Sequence, residues 1–294
     1  MKKDVCRLCG VVAELQESHV IPGFVYKYIK DNSGSGYLRF GQNPNRRSQD
    51  GHKSRWLCNG CEQRFNKWET QFSRIIFHPI NQDQTVNIQY SSWFLLFCVS
   101  VSWRVLNYYE DIGLQLPEKF LKSVKRAKSV WKEFLLNQRS HPEKYEQHFL
   151  TWDVITNHSF PNMPKNINRY ILLSTDTDTV HGEKSAFIYS KLGRFLILGF
   201  IEEPNFGQWK GTKVHVKNGI IKPQEYTFPY QFRDYLQEKA RRMEESQSRI
   251  SEKQNKKIEE EILKNPSRVA NSESFKAMIH DVRLFGDAAF RKKE

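Results

Sequence analysis

Two C-x-x-C pairs constrain this 294-residue chain more than any other feature of its sequence. Cys6 and Cys9 form the first pair, and Cys58 and Cys61 form the second, with 48 residues between the pairs. Each pair presents two thiolates on one side of a tight turn, and two such turns complete the tetrahedral four-sulfur shell that suits structural Zn²⁺. The separation exceeds the roughly 15 to 20 residues of a zinc ribbon. The sequence therefore predicts a zinc-stapled module with a sizeable insertion between its halves.

The charge distribution predicts a polyanionic partner. The formal net charge is +13, and Lys or Arg side chains placed near phosphates release condensed counterions. The excess is concentrated in residues 1–80, with 13 basic against 7 acidic side chains, and in residues 119–144, with 8 against 2. Basic side chains of the second segment share one face of a predicted helix, which is either a nucleic-acid contact or a solvated surface.

The N-terminus and the apolar segments indicate the compartment. The opening Met-Lys-Lys-Asp lacks the apolar region of a signal peptide, so we expect a cytoplasmic protein. The apolar run Trp93–Leu106 is 14 residues long and contains Arg104, which makes it too short and too polar for a bilayer span. We interpret it as a buried helix in which Cys98 is a small core residue. No membrane association is expected.

Composition and periodicity divide the chain into three segments. Residues 1–82 are rich in Cys, Gly, Asn and Arg, as expected for a metal-stabilised module. Residues 83–228 combine helical and β-like patterns and form an α+β domain of unknown role. Residues 229–294 form a charged helical segment with too few apolar positions for more than a solvated helix or a coiled-coil edge. The expected fold class is α+β.

Within these segments the pattern predicts individual elements. Residues 41–52 have the composition of a loop, and apolar residues recur at helical spacing over 120–134. Three β-like runs follow between residues 169 and 222. The Leu-Gly pair that ends at Gly193 and the Asn-Gly pair that ends at Gly219 predict hairpin turns in this region.

The order of motifs in the first segment resembles one nuclease family. A C-x-x-C pair, SHVIP at residues 18–22 and WLCNGCEQRFNKWE at residues 56–69 are together similar to the zinc-stapled branch of the HNH endonucleases. That family has a ββα-metal fold related to the treble clef, and the match covers about residues 5–72. The resemblance implies a metal-dependent endonuclease that hydrolyses phosphodiester bonds in DNA, with RNA as the other possible substrate. It also suggests a setting in phage defence or a mobile element.

The resemblance assigns cofactors and roles. In the family, a structural Zn²⁺ holds the two knuckles, and Mg²⁺ or Mn²⁺ serves the reaction. His19 matches the general base that deprotonates the attacking water, a role that suits an imidazole. His52, Glu62 and Asn66 are the candidate ligands of the catalytic metal ion.

Four arginines near the knuckles are candidates for phosphate contacts. A guanidinium group presents forked donors that match phosphate oxygens. The candidates are Arg46, Arg47, Arg55 and Arg64. A solvated loop is the alternative for the first two.

Other interpretations stay open. Ser18 and Lys53 stand where HNH enzymes usually have a metal ligand and an Asn, so the chain could be a non-catalytic, zinc-dependent nucleic-acid-binding protein. His19 could be a structural residue packed beneath the knuckle, or a zinc ligand. The aromatic-rich later part could bind a protein partner, and the charged C-terminal helix permits a homodimer.

Overall fold

The protein combines helices with antiparallel sheets in a computed structural model, which describes residues 3–82, 87–158 and 160–290. The elements up to residue 91 are β1 (Lys3–Val5), β2 (Val12–His19), α1 (Gly23–Asp31), β3 (Leu38–Phe40), β4 (Asn43–Ser48), β5 (Lys53–Cys58), α2 (Asn59–Phe72), a π-helical turn (Ser73–Phe77), α3 (His78–Gln82) and β6 (Ile88–Ser91). The later elements are α4 (Trp93–Ile112), α5 (Glu118–Leu135), β7 (Gln147–Thr151), α6 (Ile167–Leu173), β8 (Thr175–His181), β9 (Ala186–Leu192), β10 (Phe195–Glu202), a 3-10 turn (Phe206–Gln208), β11 (Asn218–Ile221), α7 (Tyr230–Ser248), α8 (Glu252–Lys264), α9 (Pro266–Asn271), α10 (Glu273–Phe285) and a 3-10 turn (Gly286–Ala289).

A three-stranded antiparallel sheet, in the order β1-β2-β5, has Cys6 and Cys9 in its β1–β2 turn and Cys58 at the end of β5, and Cys61 follows in α2. The register of β2 against β5 shifts between Gln16 and Glu17, which leaves Trp56 of β5 without a partner on β2. Trp56 is buried, and its indole N–H donates to Asp111 of α4 at 2.9 Å. A bulge of this kind changes the direction of the side chains that follow it, which here are those of Ser18 and His19. Strand β5 then runs directly into α2.

Helix α4 is the centre of the core, as its apolar run predicts. Its residues from Trp93 to Asn107 are buried except for the partly buried Leu96, and Cys98 has no exposed surface. Phe72 of α2 stacks on Phe97 of α4 with ring centroids 4.2 Å apart. The first and second segments of the chain therefore share one core, while the division into three segments stays a prediction. No helix in the described part of the chain is long and apolar enough to cross a bilayer.

A four-stranded antiparallel sheet, in the order β7-β10-β9-β8, packs against α4 and α5. The predicted hairpin at Gly193 is confirmed as the β9–β10 turn, in which Gly193 has a φ of +65°. Residues 120–134 are helical, as predicted, within α5.

Three expectations from the sequence are wrong. The run before residue 174 forms helix α6, because a short apolar run does not distinguish a strand from a buried helix. Gly219 lies inside β11, which pairs with the distant β6, and a Cβ at this position would lie 2.2 Å from the Tyr90 hydroxyl. Position 219 requires glycine because the Tyr90 side chain of β6 occupies the space of a Cβ, and not because the chain turns there. The expected loop at residues 41–52 contains strand β4, which pairs with β3.

The charged C-terminal segment packs on the rest of the protein. Helix α8 buries none of its residues, as expected for a solvated helix, but α7 buries Phe232, Leu236 and Ala240. Helix α10 contributes the fully buried Asp281. The Asp281 carboxylate accepts hydrogen bonds from the Asn168 backbone N–H at 2.8 Å and from the Arg169 guanidinium at 2.8 Å. The segment is thereby attached to α6.

We expect Asp281→Ala to lower the free energy of unfolding by about 3 kcal/mol, because it leaves a partly buried Arg169 and two α6 backbone N–H groups without their acceptor. Urea denaturation measures this change. Glu261→Ala is the matched control, since it breaks the exposed Glu261–Lys264 pair and should change the free energy by no more than about 0.5 kcal/mol. Equal effects of the two substitutions would contradict the role given to Asp281.

Candidate functional site

The four cysteines of the two knuckles meet at one point. Each offers one sulfur, and the four sulfur atoms all lie within 4.8 Å of one another. The Cys9 and Cys58 sulfurs are 3.7 Å apart, while Cys6 and Cys61 are buried. Among the described residues this is the one group of three or more His, Cys, Asp or Glu side chains that could hold a metal ion. The donor set suits structural Zn²⁺.

The backbone around this cluster favours the thiolate form of Cys6. Gly10, with a φ of +80°, closes the first knuckle, and its N–H donates to the Cys6 carbonyl at 2.8 Å. The Cys58 N–H donates to the Cys6 sulfur at 3.3 Å. Although burial acts in the opposite direction, hydrogen bonds from the backbone of Cys9, Cys58 and Leu8 lower the pKa of Cys6 to about 7. A thiolate is the form that binds the metal.

A His–Asp pair lies at the other end of β2. The His19 Nε2 atom is 2.7 Å from Asp50 Oδ1, and the His19 side chain is 25% exposed. Although burial acts in the opposite direction, hydrogen bonds from Lys53, His19 and the Gly51 backbone lower the pKa of Asp50 to about 2. An ionised carboxylate only accepts hydrogen bonds, so Nε2 carries the proton and Nδ1 is left to accept one. The pair therefore has the chemistry of an oriented general base.

Close packing fixes the His19 ring. A Cβ on Gly23 would lie 2.9 Å from His19 Cε1. The His19 ring therefore packs directly against the backbone of Gly23, the first residue of α1. On the other side, the Tyr26 ring lies 6.2 Å from the His19 ring and against Gly51, where a Cβ would overlap it. The buried Val20 follows His19 and anchors the strand end.

Two glutamates of α2 contact the end of β2, one directly and the other through Arg104. Glu62 accepts a short hydrogen bond from the buried Ser18 hydroxyl. Glu69, two turns later, pairs with Arg104 of α4 at 2.6 Å, and Arg104 also donates to the His19 carbonyl at 2.9 Å. Burial raises the pKa of Glu69, and Arg104 opposes this shift. The strand end and the helix are thus joined through two polar contacts.

The side chains of the two remaining metal candidates form none of these contacts. The His52 ring packs between Phe40, at 4.8 Å, and Tyr108, at 5.3 Å. Burial lowers the pKa of His52 and so favours its neutral form. Asn66 is exposed on α2, one turn after Glu62. The metal-binding roles of these residues stay predictions.

Strand β4 carries the first two candidate arginines. Arg46 is exposed. Arg47 lies over the Tyr37 ring at 4.5 Å, and it donates to the Lys257 carbonyl of α8 at 3.2 Å. The C-terminal segment therefore takes up one of its donors. Contacts of both residues with phosphate stay predictions.

The other two candidate arginines make backbone contacts. Arg55 is exposed on β5 and donates to the Leu15 carbonyl at 3.2 Å. Arg64 on α2 donates to the Leu135 carbonyl at 2.9 Å. Each guanidinium retains further donors for a ligand, and phosphate binding by these residues also stays a prediction.

Asp50 is the site residue that sequence reasoning missed. It lies 31 residues after His19, in a stretch with the composition of a loop. The antiparallel register pairs His19 with Lys53, so the residues just before β5 lie beside the end of β2. An acidic residue just before the strand that pairs with the histidine strand is the signal that could have found it.

Gly23→Ala should displace the His19 ring without unfolding the protein. The new Cβ would overlap Cε1, and rotating the ring relieves this clash at the expense of the hydrogen bond to Asp50. Gly60→Ala is the matched control, because no atom lies within 4 Å of its Cβ position in α2. It should leave the His19 ring in place, since Gly60 lies in the first turn of α2 and not beside His19. Imidazole ¹⁵N spectra measure the ring, and an unchanged His19 signal in Gly23→Ala would contradict this packing.

The chain was compared with known proteins at the level of family, sequence and structure. No protein-family model matches it, and no curated protein and no solved structure is significantly similar to it.

Proposed function

We propose that the protein is a metal-dependent endonuclease of the HNH type that hydrolyses phosphodiester bonds in DNA. The observation that carries the proposal is the His19–Asp50 pair at the end of a strand that is stapled to α2 by the cysteine cluster. The antiparallel strands β2 and β5 and the helix α2 contribute His19, Cys58 and Cys61, while the other residues of the cluster and the pair lie in the turns just before these strands. The resemblance of the motifs to HNH endonucleases supplies the reaction.

His19 Nδ1 would take the proton of the attacking water, while Asp50 holds Nε2 in the correct tautomer. The resulting imidazolium is stabilised by the Asp50 carboxylate. Lys53, 2.7 Å from Asp50 and 3.5 Å from Glu17, is the cation beside the pair that would hold a phosphate of the substrate. The exposed Arg46 could hold a neighbouring phosphate.

Glu62 is the residue of this chain best suited to hold Mg²⁺ or Mn²⁺. Mg²⁺ keeps several waters and is commonly bound by one or two carboxylates together with substrate phosphates, so a larger set of protein ligands is not required. Such an ion would neutralise charge on the phosphate and stabilise the leaving oxygen. The Ser18 hydroxyl fixes one carboxylate oxygen of Glu62.

Incubation of the purified protein with supercoiled plasmid, single-stranded DNA or RNA tests the proposal. Each substrate is offered with Mg²⁺, with Mn²⁺ and with EDTA. We expect cleavage of DNA that requires the added ion and leaves 5′-phosphate ends. Degradation that continues in EDTA, or cleavage confined to RNA, would contradict the proposal as stated.

A non-catalytic, zinc-dependent nucleic-acid-binding protein is the second candidate. It is favoured by the partners that the two glutamates already have: Glu62 bonds to Ser18, and Glu69 bonds to Arg104. Both candidates predict zinc and DNA binding, so neither property separates them. DNA binding in a gel-shift assay, with no cleavage under any of the metal conditions, would favour the second candidate.

A further inference from the structure

A large cavity lies where the three segments of the chain meet. Its volume is about 850 Å³, within the range of sites that hold small-molecule ligands. The end of α3 lines it from the first segment, the end of β7 and the β9–β10 turn from the second, and α10 from the third. The stretch 221–228 completes the wall. Ligand sites occur preferentially at such junctions.

Two cations of the cavity wall have no carboxylate partner in the described part of the chain. Arg194, in the β9–β10 turn, and Lys222, just after β11, both line the cavity and form no ion pair there. The Arg194 Nε atom is buried without a hydrogen-bond acceptor. Lys276 of α10, by contrast, pairs with Glu273 at 2.8 Å. An anionic group that enters the cavity would therefore meet two cations that are free to bind it.

Aromatic side chains line the same cavity. Trp152 and Phe228 are partly buried, and their rings lie 6.1 Å apart at 71°. Tyr226 also lines the cavity, and its hydroxyl is 3.1 Å from the Thr151 hydroxyl. Faces of aromatic side chains provide stacking surfaces for a planar ring, as they do for bases in single-stranded nucleic-acid complexes.

We propose that this cavity binds a nucleotide, with the base against the aromatic side chains and the phosphates on Arg194 and Lys222. The carboxylates of Asp153 and Glu225, which also line the cavity, suit the hydroxyl groups of a ribose. A free aromatic base carries no negative charge to pair with the two cations. A simple anion has no planar ring to stack on the aromatic side chains. A nucleotide combines the two chemistries that the wall presents, and its binding here is independent of the proposed nuclease activity.

Isothermal titration calorimetry with each of the four common ribonucleoside triphosphates tests the proposal on the full-length, zinc-loaded protein. Adenosine and inorganic triphosphate separate the contribution of the base from that of the phosphates. Arg194→Ala removes the unpaired guanidinium and should weaken binding at least about tenfold, as expected for the loss of a hydrogen bond to a charged group. Lys125→Ala, an exposed residue of α5, removes one positive charge from a helix that does not line the cavity.

The proposal is supported if a triphosphate nucleotide binds more tightly than adenosine and inorganic triphosphate, and if Arg194→Ala weakens it while Lys125→Ala does not. Lys222→Ala, in an exposed stretch, replaces Arg194→Ala in this comparison if the latter fails to fold. Three results overturn the proposal: no binding of any nucleotide, equal binding of inorganic triphosphate, or unchanged binding in the cavity variant. None of these results depends on DNA cleavage, so they leave the proposed function untouched.

Discussion

Cys58→Ser is expected to abolish stoichiometric zinc binding and to unfold the N-terminal sheet. Cys58 ends β5, begins the turn into α2 and lies 3.7 Å from the Cys9 sulfur. Loss of one thiolate opens the tetrahedral shell, and structural Zn²⁺ sites contribute apparent binding free energies of about 10–16 kcal/mol at pH 7. Metal analysis of the purified variant and its thermal unfolding curve measure the effect.

Cys98→Ala is the control for this prediction. Cys98 is the fully buried fifth cysteine in α4, away from the cluster. Its substitution removes only a small core side chain, so it should lower stability slightly and leave one zinc ion per chain. Chelation of zinc from the wild-type protein should reproduce the effect of Cys58→Ser. A folded Cys58→Ser protein that retains one tightly bound zinc would contradict the four-cysteine site.

His19→Ala is expected to lower the rate of DNA cleavage by about 10² to 10⁴-fold, the usual contribution of a positioned general base. The substitution removes the imidazole but leaves the strand pairing of β2 with β5, which uses backbone atoms. Asp50→Asn should cause a smaller loss, because Asn accepts the hydrogen bond from Nε2 without stabilising an imidazolium. Initial rates of plasmid nicking measure both losses.

The pH dependence of the pair follows from its carboxylate. Hydrogen bonds lower the pKa of Asp50 to about 2, below the ordinary value near 3.9. A lowered pKa in the folded state means that the ionised form contributes stability, fully present above about pH 4 and lost as the pH falls toward 2. Protonation of Asp50 should therefore cause no loss of activity between pH 7 and 5. Any loss that the wild type shows in this range should persist in Asp50→Asn. Its disappearance in that variant would contradict an ionised Asp50 over this range.

Local sequence patterns were sufficient for the cysteine cluster and the main core helix. Thiolate pairs at C-x-x-C spacing determine their own turns, and the run from Trp93 is too apolar to lie on a surface. The β9–β10 hairpin was predictable for the same reason, because Gly193 supplies the left-handed backbone of its turn.

Contacts between distant parts of the chain were not predictable from such patterns. Asp50 reaches His19 only through the register of β2 against β5. Strand β11 pairs with β6 rather than with a neighbour in sequence. The C-terminal segment looks solvated by composition, yet Ser246 and Arg249 donate to the Gly41 carbonyl of the first segment. Local propensity carries no information on which distant backbone groups will pair.

We propose that His19, held by Asp50, is the base of a DNA-cleaving site. The most direct test compares zinc-loaded wild-type protein with zinc-loaded His19→Ala in nicking of supercoiled plasmid with Mg²⁺ or Mn²⁺. Equal zinc content and equal thermal stability of the two proteins establish that only the site differs. We expect metal-dependent nicking by the wild type that falls at least about 10²-fold in the variant. Equal nicking by both proteins, or plasmid binding without nicking by the wild type, would contradict the role of His19 as the general base.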